Sequence, residues 1–258
     1  MAIVQYEIRS GVALVTMNDP DQRNPLSVGM REGLIGVFEQ ISASADVRSV
    51  VLTGAGGAFS SGGDLSAMPP RSEDDATERL ARIAVLVRHF RRATVPVVAA
   101  IDGVAAGVAM GIAAACDVVV LSDRARLMFP FTRLGLLPDG GALATIAQRV
   151  GVAQARRLFL QGDEVSAESA LAMGLADEVV SAAELIERSQ VIAFDLGHRA
   201  AGSVRAIKQF YATVGLGIDD ALRVEADIQP ERYFSAEFAE GLLAHAERRR
   251  PDFIANAD

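Results

Sequence analysis

Cysteine is almost absent from this 258-residue chain. Cys116 stands alone, which excludes an intramolecular disulfide framework and a multi-cysteine metal site. It lies in the apolar run GVAMGIAAAC (107–116) and reads as a small buried hydrophobe. One thiol is compatible with a reducing compartment, and a cytoplasmic location is expected. No stretch is long enough for a membrane span: the longest apolar run, Val104 to Cys116, has 13 residues where about 20 are needed. The first residues, MAIVQYEIRS, lack a basic segment followed by an apolar core, so no signal peptide is expected. Basic charge is also scarce. With a net charge of −8 and a pI near 5.0, the chain has no broad basic face for nucleic acid, and an anionic ligand must be met by local positive charge. Lys208 is its only lysine; the other basic residues are arginine, a compositional bias rather than a motif.

What is present is apolar: half of the residues are hydrophobic, enough for a sizeable core. Val4 to Met17 alternates about Ser10-Gly11 and predicts a β-hairpin. Ser27 can cap a helix carrying Leu34, Ile35, Phe38 and Ile41. Val50 to Leu52 and Val97 to Ile101 predict strands buried on both faces. Between them, Glu73 to Arg92 predicts a helix with Leu80, Ile83, Ala84, Val87 and Phe90 on one face. Asp102-Gly103 leads into a small-residue helix near 107–115, and strands follow at 118–121 and 127–129. From Ala142 the pattern is helical apart from a strand at 177–180. The last helices are expected at 182–196, 203–213, 219–229 and 236–250. The class is α/β, with a core over 1–195 and a helical subdomain over 196–258.

Three glycine-marked loops follow predicted strands, where ligands gather in open α/β sheets. AFSSGGDL (58–65) and DGVAAGVAMG (102–111) bring backbone amides forward, and two converging amides make an oxyanion hole. LGLLPDGG (134–141) sets Asp139 among apolar residues before a helix. Taken singly, these features read as turns, with Asp64, Asp102 and Asp139 as turn or cap residues. Their order and spacing carry more.

Arg23-Asn24-Pro25-Leu26, VVLTGAGGAFSSGGDL (50–65), PVVAAIDGVAAGVAMGIAAACDVVV (96–120), FPFTRLGLLPDGG (129–141), SAESALAMGLADEVV (166–180) and EFAEGLLAHAERRRP (237–251) together resemble the crotonase, or enoyl-CoA hydratase/isomerase, superfamily. The resemblance implies a spiral of ββα repeats with a C-terminal helical trimerisation region, assembled as a homotrimer or a hexamer (a dimer of trimers). It implies a coenzyme A thioester as substrate and no cofactor beyond that CoA. The thioester carbonyl would be held by the amides of Gly63 and Val108, with an enolate as intermediate. Arg23 and Pro25 resemble the segment that meets CoA, and Lys208 or Arg248 could add charge. Ser61, Asp64, Leu65, Phe131, Leu134 and Pro138 complete the expected substrate-binding set.

Two positions depart from the hydratase pattern. The two glutamates that flank a water in hydratases align with Gly111 and Phe131, neither of which transfers a proton. Asp139 instead stands where the family's isomerases carry a lone acid. That favours an isomerase shifting a double bond with Asp139 as single acid/base. Three alternatives stay open: an atypical hydratase, an aroyl-CoA hydrolase or dehalogenase with Asp139 as nucleophile and His89 its nearest candidate base, and a non-catalytic CoA-ester binding protein.

Overall fold

Two strands open the computed structural model, which describes residues 2–68, 70–213 and 217–255. β1 (Val4–Arg9) and β2 (Val12–Met17) pair antiparallel across Ser10-Gly11, whose φ angles of 50° and 78° are the two left-handed positions of a type I′ hairpin. Ser27 caps α1 (Val28–Ala43), its hydroxyl accepting from the Met30 amide at 3.3 Å. β3 (Ser49–Gly54), α2 (Glu73–Arg92) and β4 (Val97–Ile101) follow, as the apolar patterns predict.

The turn at Asp102-Gly103 departs from expectation. A strand, β5 (Val104–Ala106), intervenes before α3 (Val108–Ala115). Three residues are too few to show a period, and β5 exists because β7 pairs with it. β6 (Val118–Ser122) and β7 (Arg126–Met128) lead to α4 (Ala142–Val150) and α5 (Val152–Gln161). β8 (Glu164–Ser166) lies within a stretch expected to be helical, held by antiparallel pairing of Val165 with Leu127. Next come α6 (Ala167–Ala172), β9 (Glu178–Val180), α7 (Leu185–Gly197), α8 (Ala201–Thr213), α9 (Ile218–Arg232) and α10 (Ala236–Glu247). The last ends three residues before the expected limit, where Arg248 turns to φ 57°.

The main sheet runs β1-β2-β3-β4-β6-β9, parallel except for β1. Its central strands β3, β4 and β6 are predominantly apolar and buried because both faces are covered there. Val50, Leu52, Ala99, Ile101, Val119 and Leu121 join a core with α1, α2 and α3 on one face. Val51, Val98, Ala100 and Val120 meet Leu185 and Ala193 of α7 on the other. Phe38 and Phe90, with ring centroids 4.4 Å apart, lock α1 against α2 and so fix the helix that borders the site. Cys116 is buried as expected, and burial pushes its thiol up to about 12. Lys208, a candidate CoA contact from the resemblance, is instead buried in an ion pair with Asp117, which also accepts from the Val97 amide at 2.7 Å. Its charge is committed to holding α8 on the core. Among the described residues no helix is long and apolar enough to cross a membrane.

Candidate active site

The second sheet, β5-β7-β8, exists at the mouth of the first and aligns its loops. Ser60 forms a parallel bridge with Ala105: its amide donates to the Val104 carbonyl, and its carbonyl accepts from the Ala106 amide, both at 3.0 Å. The chain after Ser60 therefore runs beside the chain after Ala106. Gly62 sits at φ 88°, and a Cβ there would lie 2.4 Å from the Ala106 carbonyl oxygen, so only glycine permits the contact. Gly63, one residue beyond Gly62, and Val108, two beyond Ala106, reach the same cavity. Among the described residues, neither of their amides donates to a protein acceptor; Val108 is the first residue of α3, where amides have no partner within the helix. The local helix field favours negative charge there.

The segment 23–26 braces this pair. Ser61 donates its amide to the Arg23 carbonyl, and Leu26 donates to the Gly62 carbonyl, both at 2.7 Å. Ser60 Oγ donates to the Asn24 carbonyl at 2.6 Å and accepts from the Gly62 amide at 3.1 Å. Asn24, fully buried at φ 54°, donates Nδ2 to the carbonyls of Ala55 and Ala58 and accepts from the Asp19 amide through Oδ1. Asparagine tolerates the left-handed region and satisfies three backbone groups there at once.

The cavity has a volume of about 530 Å³. Of the expected residues, Ser61, Gly63, Leu65, Val108, Phe131, Leu134, Pro138 and Asp139 line it. Arg23, Pro25 and Asp64 do not. Arg23 is exposed at φ 60° beside the Ser61 loop, Pro25 is buried behind it, and the Asp64 carboxylate is taken by the Ser66 amide and hydroxyl at 3.0 and 2.6 Å. The last agrees with its reading as a turn residue. His89 lies on α2 away from the cavity lining.

Asp139 is half-buried and lines the same cavity. It is not the cap of α4: that position is Gly141, at φ 72°, and Asp139 contributes only its carbonyl, which accepts from the Ala142 amide at 3.0 Å. Among the described residues no other residue donates to its carboxylate. Burial raises its pKa above the ordinary carboxylate range, opposed by its own backbone amide and by the positive charge of Arg79.

Gly111 explains how Asp139 comes to be there. A Cβ at Gly111 would lie 2.5 Å from the Gly140 carbonyl oxygen and 3.2 Å from the Ala142 nitrogen. The loop bearing Asp139 thus rests directly on the bare backbone of α3, and Thr145 Oγ1 donates to the Gly111 carbonyl at 3.2 Å to hold it. The space a side chain at 111 would need is filled by this loop. Phe131, at the second aligned position, packs its ring edge-on to Phe159 with centroids 6.1 Å apart.

Leu26, Met68, Ala76, Arg79, Leu80 and Ile83 also line the cavity and were not among the expected site residues. Four of these residues lie on α2, which forms one wall of the cavity. Ala76, Arg79, Leu80 and Ile83 recur at i, i+3, i+4 and i+7, so the stripe was visible, but an apolar stripe reads first as core. Leu80 is 51% exposed, because it faces the cavity.

The sequence profile described as Enoyl-CoA hydratase/isomerase matches residues 7–256. A Rhodobacter capsulatus protein named "Probable enoyl-CoA hydratase" is 34% identical, over 97% of each chain. A Streptococcus mutans protein named trans-2-decenoyl-[acyl-carrier-protein] isomerase is 30% identical, again over 97% of each. The crystal structure of an enoyl-CoA hydratase from Bacillus anthracis superposes with a TM-score of 0.92 at 27% identity, covering 97% of this chain and 98% of that one.

Proposed function

This chain belongs to the enoyl-CoA hydratase/isomerase family, and on that premise we propose that it is an enoyl-thioester isomerase, converting β,γ-enoyl-CoA to α,β-enoyl-CoA with Asp139 as its single acid/base. The observation that carries the reading is that Asp139 is the only carboxylate lining the cavity among the described residues, and it is uncommitted. The amides of Gly63 and Val108 hold the thioester carbonyl and stabilise the enolate; one such donor is worth about 3–4 kcal/mol. Asp139 takes a proton from the carbon beside the carbonyl. The electron pair shifts through the enolate and the double bond, and the same proton returns two carbons further on. One carboxylate is enough, and the reading needs no cofactor beyond the CoA of the substrate. The apolar wall of Phe131, Leu134, Leu136 and Leu137 makes the ionised base stronger and limits competing water.

Hydration requires a second group to position and protonate, and the aligned sites argue against one: Gly111 has no room for a side chain and Phe131 has no proton to give. The two relatives are named for different activities, a hydratase and an isomerase, so names do not choose between them. The isomerase named for an acyl-carrier-protein substrate also leaves the carrier to be decided by assay. The proposal includes the homotrimer or hexamer implied by the family resemblance.

Purified protein is to be incubated with 3-hexenoyl-CoA and, separately, with 2-hexenoyl-CoA, following the conjugated thioester absorbance. Absorbance is expected to rise with the first and to persist with the second. Asp139→Asn is expected to lower the first rate by about a hundredfold or more. Rapid loss of the 2-enoyl absorbance, or full activity in Asp139→Asn, would sink the assignment.

A further inference from the structure

We propose that Arg79 selects acyl groups that carry a carboxylate, making this a site for half-thioesters of dicarboxylic acids; the inference deepens the acyl-thioester reading above and rests on it. Arg79 is the only cation lining the cavity among the described residues, in a wall otherwise made of Leu26, Leu80, Ile83, Phe131 and their neighbours. Its Nη2 lies 3.5 Å from the point that a Cβ on Gly63 would occupy. The guanidinium therefore stands beside the amide assigned to the thioester carbonyl. The phosphates of CoA are a whole pantetheine arm away from that carbonyl, so an acceptor on the acyl side is the nearer match.

Arg79 makes no hydrogen bond or ion pair with any described residue. Each nearby acid has other work. Asp64 accepts from Ser66, Asp75 pairs with Arg71 at 3.0 Å, and Asp139 feels Arg79 only at a distance. A second guanidinium lies within range of its field: Arg31 is buried, donates Nη1 to the Leu26 carbonyl at 2.7 Å, and has its pKa drawn down first by burial and then by the charge of Arg79. Two arginines share this corner without a carboxylate bonded to either. Arg79 is half-buried and unpaired among the described residues, and a guanidinium fork matches a carboxylate with two parallel hydrogen bonds. The methylenes between thioester and carboxylate would lie on Leu80 and Ile83.

The test is calorimetric binding of hexanoyl-CoA, adipoyl-CoA and free CoA to the wild-type protein, Arg79→Met, Arg79→Lys and Asp139→Asn. Wild type is expected to hold adipoyl-CoA about tenfold or more tighter than hexanoyl-CoA, the scale of a hydrogen bond to a charged group. That ratio is expected to collapse toward one in Arg79→Met, to be intermediate in Arg79→Lys, and to persist in Asp139→Asn. No preference in the wild type would overturn the inference without any variant. So would an equal loss for all three ligands in Arg79→Met, which would make Arg79 a contact of CoA itself. Because these ligands have no double bond to move, failure of the isomerase assay and failure of this selectivity are read separately.

Discussion

In the proposed reaction Asp139 is the acid/base, and its surroundings give it a signature in pH. Its folded pKa is raised, so the native state holds the proton more tightly than the unfolded chain does. Stability from this group is therefore greatest at low pH. It falls as pH rises from about 4, the unfolded value, through the raised folded value, and is level beyond. Asp139→Asn, neutral at every pH, is expected to show a higher Tm than wild type at pH 7 and to lose that advantage at about pH 4, as thermal unfolding across pH would record. The activity limb runs the other way. The base works ionised, so kcat/KM for the β,γ-enoyl thioester is expected to rise with pH around a midpoint above the ordinary carboxylate range. A midpoint at or below that range would remove burial as the tuning force.

At the scale of elements, the decisive contact is between α3 and the loop before α4. Gly111→Ala is expected to push Gly140 away, since the added Cβ would lie 2.5 Å from the Gly140 carbonyl oxygen with nothing flexible to yield. Overpacking of this kind costs about 1–3 kcal/mol, which shifts Tm by roughly 2–4 °C per kcal/mol in a chain this size. The isomerisation rate is expected to fall at least as strongly as the stability, because Asp139 rides on the displaced loop. A Gly111→Ala protein with unchanged Tm and unchanged rate would show that the loop rests elsewhere. The sequence made α3 and Asp139 visible as separate features, through small residues after a strand and an acid in a Pro-Asp-Gly-Gly turn. Their contact was not visible, because an absent side chain at 111 leaves no local signal of what fills its space. β5 and β8 were hidden for a related reason: each is three residues long and is held by pairing with β7.

For the whole molecule, the C-terminal helices leave apolar side chains uncovered in one chain. Phe234 is 92% exposed, and Tyr233, Leu242 and Leu243 are more than half exposed. Exposed apolar side chains of this kind fit the proposed homotrimer or hexamer. Light scattering on the purified protein is expected to give three or six times the 27.2 kDa chain mass. Phe234→Asp is expected to shift that mass toward one chain; a wild-type monomer would contradict the assembly.

The sequence by itself determined the hairpin, the helix over 73–92, the strand over 97–101 and the ordered glycine loops, because apolar periodicity and turn chemistry are local. It also placed Gly63, Val108 and Asp139 on three successive loops, through the family motifs around them. Only the tertiary structure decided that those loops meet. The Ser60–Ala105 bridge aligns the two free amides, and the bare backbone at Gly111 admits the loop that carries the acid. It decided, too, that Lys208 is committed to Asp117 while Arg79 has no partner among the described residues. Two cations of one chain differ in what they can bind because packing, not residue type, determines which of them finds a carboxylate within reach.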